Sequence, residues 1–434
     1  MSHQAHNIPW NVFGSNLKFR TKIPCADDAT SLHFRFKPTQ GKELTYFVDT
    51  FTRNVHEHAD SERRKYPEAY EVPGLDDIVL DDSLTRKMTH AVRLWRSERR
   101  DKLGEVDEKP TTELCHHSEP DQRCRCPLSY NQRRMGSFFH KYRWSDCYKF
   151  FDDHKDGYIS LEVFKTLLMH GEMDTLLKIC AHPGVGFPSW WDARLCSCYP
   201  PDLGRDYLEN ALDAYLVLNI FLSSFPKSWA PGRSLDQDYR RTRIYQMMIL
   251  RVTGTRQASE LATHPHRQVF GIARGQLNSY SGFKYPMTTK RQDKFCGTDQ
   301  PYGRLTYEEF LESQKTIDFL PSVSDVLHVR WILCEKGLPG EIAQLILDKA
   351  LYKPQRRLKV PHDPLHPENI EELNKYLKFC WQVLVRSEVV ARETGMNIPW
   401  KDLVSESTDR LLGCSCRKLL GRGEPPNDDL LWFK

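Results

Sequence analysis

The sequence predicts a mainly α, multi-helix globular fold with a few short strands near the N-terminus, and three observations carry that expectation. Apolar residues recur at helical spacing in segment after segment from Asp82 onward, most clearly at Leu373, Leu377, Cys380, Trp381, Leu384 and Val385. Strict alternation, the mark of a strand, is confined to short runs in the first fifty residues. The composition, 39% apolar and 11% aromatic, supplies enough buriable surface for a folded chain.

Taken in order, the elements follow from local chemistry. Leu32-His33-Phe34-Arg35-Phe36 and Leu44-Thr45-Tyr46-Phe47-Val48 alternate between boundaries of Pro, Gly or Asp, which predicts a small strand pair. Behind the N-cap cluster Asp81-Asp82-Ser83, residues Leu84, Met88, Ala91, Val92 and Trp95 share one face of a helix. Gly104 to Pro127 is polar and aperiodic, so it reads as a linker. Tyr142 to Phe151 and Leu161 to His170 read as helices flanking an acidic turn, and the helix from Asp206 to Phe225 is apolar nearly all round after Leu212, which predicts burial on most sides. Arg240 to Val252 reads as a helix and Thr253 to Phe295 as irregular. Order returns at Arg304 to Phe310, with helices at Ser324 to Cys334, Gly340 to Leu351 and Pro367 to Glu393.

At 434 residues the chain exceeds what one core comfortably holds, so two or three packed units are expected. The divisions fall at an N-terminal α+β segment (1–103), a polar Cys/His-containing linker (104–134), a helical unit (135–255), an irregular segment (256–303) and a C-terminal helical unit (304–434). Asn7-Ile8-Pro9-Trp10 recurs as Asn397-Ile398-Pro399-Trp400, but no fixed-period repeat accompanies it, and it reads as coincidence.

Composition also bounds the partners. Acidic and basic residues are interleaved and the formal net charge is only +4, which argues against a nucleic-acid partner. The most apolar run, Ala214 to Leu222, is far too short to span a bilayer, which argues against a membrane partner. The polar opening Met1 to His6 and 13 scattered cysteines predict an intracellular protein, cytoplasmic or nuclear.

The stretch Phe150 to Phe164 reads as helix, acidic turn, helix. Counted from Asp152, it places Asp156 fifth, Gly157 sixth, the Tyr158 carbonyl seventh, Ile159 eighth and Ser160 ninth, with His154 third and Val163 twelfth. Residues 143–170 thus resemble a degenerate EF-hand. The resemblance implies Asp152, Asp156, Tyr158 and Ser160 as calcium ligands. The bidentate twelfth-position Glu is missing, with Glu162 one residue early, and a histidine nitrogen suits a hard cation poorly, so binding is expected to be weak or absent. Thr298 to Phe310 resembles the exit half of the same motif, with Gly303, Leu305, Thr306 and Glu309 in place, and implies a pairing of Ile159 with Leu305. The alternative is a helix-turn-helix in which Gly157 makes the turn and Ile159 packs inward.

Two further segments bear on chemistry. Cys115, His116, His117, Cys124 and Cys126 put five potential zinc ligands within twelve residues, where a closed site needs four, although the single residue between Cys124 and Cys126 strains a shared tetrahedral site. Gly337-Leu338-Pro339-Gly340-Glu341-Ile342-Ala343-Gln344-Leu345-Ile346-Leu347 resembles the opening of an F-box, and the C-terminal third is similar to uncharacterised fungal-type proteins; a helix-starting Pro explains the same residues by its fixed φ. No P-loop, Rossmann glycine pattern, H-E-x-x-H or G-x-S-x-G is present. His362-Asp363-Pro364-Leu365-His366-Pro367 reads as a Pro-stiffened turn with exposed histidines. The function expected is structural or interactive, with a protein partner. The alternatives are an F-box-like adaptor using the helices from Ser324 onward, and an enzyme whose site residues lie far apart in sequence.

Overall fold

The computed structural model describes residues 8–19, 32–34, 38–103, 128–139, 155–188, 205–224, 238–254, 260–277, 306–312, 321–350, 352, 354 and 358–412. Along the chain these form α1 (Trp10–Ser15), β1 (Leu17–Phe19), β2 (Leu32–Phe34), α2 (Gln40–Arg63), α3 (Asp82–Leu103) and α4 (Tyr130–Arg133). Then come α5 (Lys155–His170), α6 (Met173–Cys180), α7 (Asp206–Ser224), α8 (Arg243–Thr253), α9 (Glu260–Phe270) and α10 (Tyr307–Glu312). The last four are α11 (Val323–Glu335), α12 (Gly340–Lys349), α13 (Ile370–Glu393) and α14 (Trp400–Leu412). The fold is mainly α.

Helix α7 organises the packing because it is buried on nearly every side. Leu208, Leu212, Tyr215, Val217, Leu218 and Phe221 are fully or almost fully buried, and α1, α8, α9, α13 and α14 surround it. Several of its polar residues find partners: Asn219 donates to the Tyr215 carbonyl at 2.8 Å, and buried Asp213 pairs with Arg251, whose Nε lies at 2.7 Å, and accepts from Arg410 Nη2 at 3.0 Å. Helix α13 crosses both α2 and α7. At that crossing Trp381 meets Phe51 edge-on at 5.7 Å and Tyr215 at 5.2 Å, and its Nε1 donates to His58 Nδ1 at 3.3 Å. One continuous apolar core runs from Ile8 to Leu412, so elements from the N-terminal, central and C-terminal segments share it.

Several elements differ from expectation, each for a physical reason. Leu44 to Val48 is helical, not a strand. Five alternating residues also satisfy a helical period, and the longer series Leu44, Phe47, Val48, Phe51, Val55 and Ala59, all buried, decides for α2. β2 pairs instead with β1, antiparallel, with Leu17 opposite Phe34 and Phe19 opposite Leu32. Helix α9 forms inside the segment expected to be irregular and carries Pro265 internally, held by burial of Leu261, Ala262, Val269 and Phe270. The turn expected at Asp152 to Val163 is helical from Lys155. Ile159, Leu161, Val163, Phe164, Leu167 and Leu168 are all buried, and that burial outweighs the turn preference of one glycine.

The repeated Ile-Pro-Trp sequence is one local device used twice. In both copies the Trp amide donates to the Ile carbonyl, at 2.9 Å for Trp10 and 2.8 Å for Trp400, and the Pro carbonyl accepts the next helical bond. Ile8, Trp10, Ile398 and Trp400 are all buried, so each copy starts a helix with its first turn anchored in the core.

Candidate functional site

The residues suggested by sequence divide into two groups. Asp152, Cys115, His116, His117, Cys124, Cys126, the entering helix at Tyr142 to Phe151, and Leu305 lie outside the described residues. Asp156 and Tyr158 fall within α5, and Ser160 is buried there, its hydroxyl donating to the Ser137 carbonyl at 2.7 Å. Glu162, the acid one position early, is also fully buried, and its Oε1 accepts from Lys165 Nζ at 3.2 Å. The same ammonium reaches Asp206 Oδ1 at 2.9 Å. Burial opposes the charge on Lys165, but the Asp206 and Glu162 carboxylates outweigh it and hold the lysine above its ordinary pKa. This part of α5 therefore closes on internal partners. Among the described residues no group of three or more His, Cys, Asp or Glu converges on a metal-sized site.

The surface with the strongest physical claim on a partner is the hairpin of α11 and α12. Its backbone is fixed by sequence at each step. A capping box starts α11: Asp325 N donates to Ser322 Oγ at 3.2 Å and Ser322 N to Asp325 Oδ2 at 2.7 Å. The helix ends with Leu338 N bonded to the Leu333 carbonyl at 3.2 Å around Gly337, whose φ of 91° only glycine adopts without strain. Pro339 then caps α12, its carbonyl accepting from Ala343 N at 2.9 Å.

Against that defined backbone, the side chains are placed unusually. Helix α11 has no buried residue, although Val323, Leu327, Trp331 and Cys334 form one stripe and Val326, Val329 and Leu333 lie on its other sides. Leu327 and Trp331 are each 58% exposed and Val323 is 56% exposed. On α12, Ala343 and Leu347 are buried outside the main core, while Ile342, Leu345 and Ile346 are exposed on another side. An apolar helix stripe of this kind is normally covered; among the described residues this one is not. The sequence reading found α11 and α12 but missed their exposure. The sequence carries no signal for it, because an apolar stripe has the same spacing whether or not a neighbour covers it.

A second feature is a buried aromatic and polar cluster under His362. Tyr239 donates to Asp363 Oδ1 at 2.6 Å, and Arg240 forks onto Asp238 while its Nη1 donates to the His362 carbonyl at 3.3 Å. The Arg240 guanidinium lies 5.5 Å from the Tyr307 ring centre, and that ring is 5.8 Å from His362. Among the described residues the buried Tyr245 hydroxyl has no hydrogen-bond partner. Burial, with the Asp363 carboxylate, holds Tyr239 well above its ordinary pKa, so it stays a neutral donor. His362 has φ 59°, the one positive φ outside glycine among the described residues. Both His362 and His366 are half-buried, correcting the expected exposed turn, and His366 Nδ1 accepts from Glu368 N at 3.2 Å.

Among the described residues no helix is long and apolar enough to cross a membrane. In comparison with known proteins, a family model described as "Gramillins biosynthetic cluster protein GRA5" matches residues 11–418. No curated protein and no solved structure matches the chain.

Proposed function

The chain belongs to the Gramillins biosynthetic cluster protein GRA5 family, and from that premise we propose that it serves its cluster's biosynthesis as an interaction protein. The partner is a protein, docked through α11 and α12. One observation carries this reading: a firmly capped helix that leaves the apolar stripe of Val323, Leu327 and Trp331 exposed and buries none of its residues. The Leu338-Pro339 start of α12, the feature shared with an F-box opening, is compatible with an adaptor form of the same role. Weak or absent calcium binding belongs to the reading, supported by the commitment of Ser160 and Glu162 to internal partners. The free thiols of Cys180, Cys334 and Cys380 support an intracellular setting. The test is Leu327→Glu in producing cells: the cluster's product falls sharply while the purified variant keeps its melting temperature, since Leu327 contributes nothing to the core. Product at the wild-type level would refute the docking role.

A second reading, an enzyme, is favoured by the left-handed His362 beside the Tyr239–Asp363 pair, because strained backbone recurs at reactive sites. His362→Gly separates the two roles. It relieves the backbone strain and removes the contact with Tyr307 in either case, but lowers product formation per folded chain only if the imidazole takes part in chemistry.

A further inference from the structure

We infer that the cluster of Tyr239, Tyr245, Tyr307 and His362 is a binding site for a small uncharged molecule, and that the Tyr245 hydroxyl donates to a carbonyl oxygen of that molecule. The inference goes beyond the docking role of α11 and α12 and needs nothing from it. Two costs to stability meet in this one cluster. Tyr245 is fully buried, and among the described residues its hydroxyl has no hydrogen-bond partner. A buried polar atom in that condition is destabilising, and phenylalanine would fill the same space without it. Across the Tyr307 ring, His362 holds a φ of 59°, a conformation that glycine adopts without strain. Neither feature helps the fold; a ligand at this point gives both a use.

Tyr245 comes from α8, Tyr307 from the start of α10 and His362 from the turn before α13, so distant segments assemble the site. Their rings form its walls. Tyr239 meets Tyr245 edge-on at 5.0 Å, Tyr307 meets it at 5.6 Å, and His362 stands 5.8 Å beyond Tyr307. The Tyr245 hydroxyl faces into this group, since the ionisable groups that act on it are Tyr307, Tyr239, Arg240 and Asp363. Arg240 and His362 are only half-buried, so the cluster leads from the core toward the surface.

The chemistry of the occupant follows from what is already committed. Arg240 forks onto Asp238, and Asp363 receives the Tyr239 hydroxyl. A charged ligand would leave water for a place whose counter-charges are taken, which is costly. Burial holds Tyr245 well above its ordinary pKa, so it stays a neutral phenol and a ready donor. The ligand therefore carries no charge, an apolar body to lie against the rings and an acceptor oxygen. An amide, ester or ketone carbonyl has that chemistry.

The test is calorimetric melting of the full chain with benzamide, benzoate and benzylamine at millimolar concentration, three probes that share a ring and differ in charge. Benzamide raises the melting temperature of the wild type, whereas benzoate and benzylamine do not. Tyr245→Phe without a probe melts about 1–3 °C above wild type, because it removes the unpaired hydroxyl, and benzamide no longer shifts it. A Tyr245→Phe chain that melts below wild type would show that the hydroxyl already has a partner, and would overturn the inference. So would a benzamide shift that survives the substitution, or no benzamide shift in the wild type. A shift with benzoate or benzylamine in place of benzamide rejects the uncharged carbonyl. These outcomes are independent of Leu327→Glu, which reads the docking surface, and of His362→Gly, which reads chemistry rather than binding.

Discussion

Replacing Lys165 by Met removes the only described cation between two buried carboxylates and keeps most of the side chain's volume. Glu162 and Lys165 are fully buried and Asp206 is nearly so, and the lysine bridges them at 3.2 and 2.9 Å. Breaking a buried ion pair from one side costs about 3–5 kcal/mol, because the remaining charge is desolvated without its partner. With an unfolding entropy of about 2.1 cal/mol/K per residue, a chain of 434 residues loses roughly 1 °C of melting temperature per kcal/mol, so a fall of about 3–5 °C is expected. The folded pKa of Lys165 lies above its unfolded value near 10.5, so its contribution is complete below pH 10.5 and is lost as pH rises through the folded value. From pH 6 to 9 the wild-type lysine is charged and its contribution is complete. Adding Glu162→Gln and Asp206→Asn recovers most of the loss, since removing all the charges together is nearly neutral. Calorimetry checks each value. A Lys165→Met protein that melts with wild type would show that the triad does not exist.

Two predictions follow from the same kind of reasoning. His266 is 1% exposed, its Nδ1 contacts the Tyr376 hydroxyl, and burial together with the Arg267 charge pushes its pKa down to about 3. The unfolded chain thus binds one more proton between pH 6.5 and 3, and stability declines over that interval by up to about 1.4 kcal/mol per pH unit; His266→Leu flattens the decline in urea titrations from pH 7 to 4, and equal slopes would contradict it. Calcium at millimolar concentration leaves both the melting temperature and tryptophan emission unchanged, and a calcium-dependent rise in melting temperature would restore the EF-hand reading.

The sequence revealed most where period and caps agreed over many residues. Helices α7, α11, α12 and α13 lie within a few residues of their expected bounds because each combines a long apolar series with a clear start or stop, such as Ser322 before α11 and Gly337 after it. It misled where a short window fits two periods. Leu44 to Val48 alternates, yet belongs to a helix of 24 residues whose remaining buried positions lie beyond that window. Ligand spacing also says nothing of where Glu162 goes: Lys165, three residues on, pairs with it in the core. Exposure of α11 could not be read from the sequence, because an apolar stripe has the same pattern whether or not a neighbour covers it. The pairing of His362 with Tyr307 and Tyr239 with Asp363 depends on contacts between residues 55 and 124 positions apart, which no local pattern encodes.

The central claim is that α11 exists to be covered by a protein partner, and the most direct measurement is hydrogen exchange along residues 323–335 in extracts of producing cells compared with the purified Leu327→Glu chain. Slow exchange in wild type and fast exchange in the variant, at equal global stability, is the result expected. Equal protection in both would contradict the account, because it would mean that the chain itself already shields the helix.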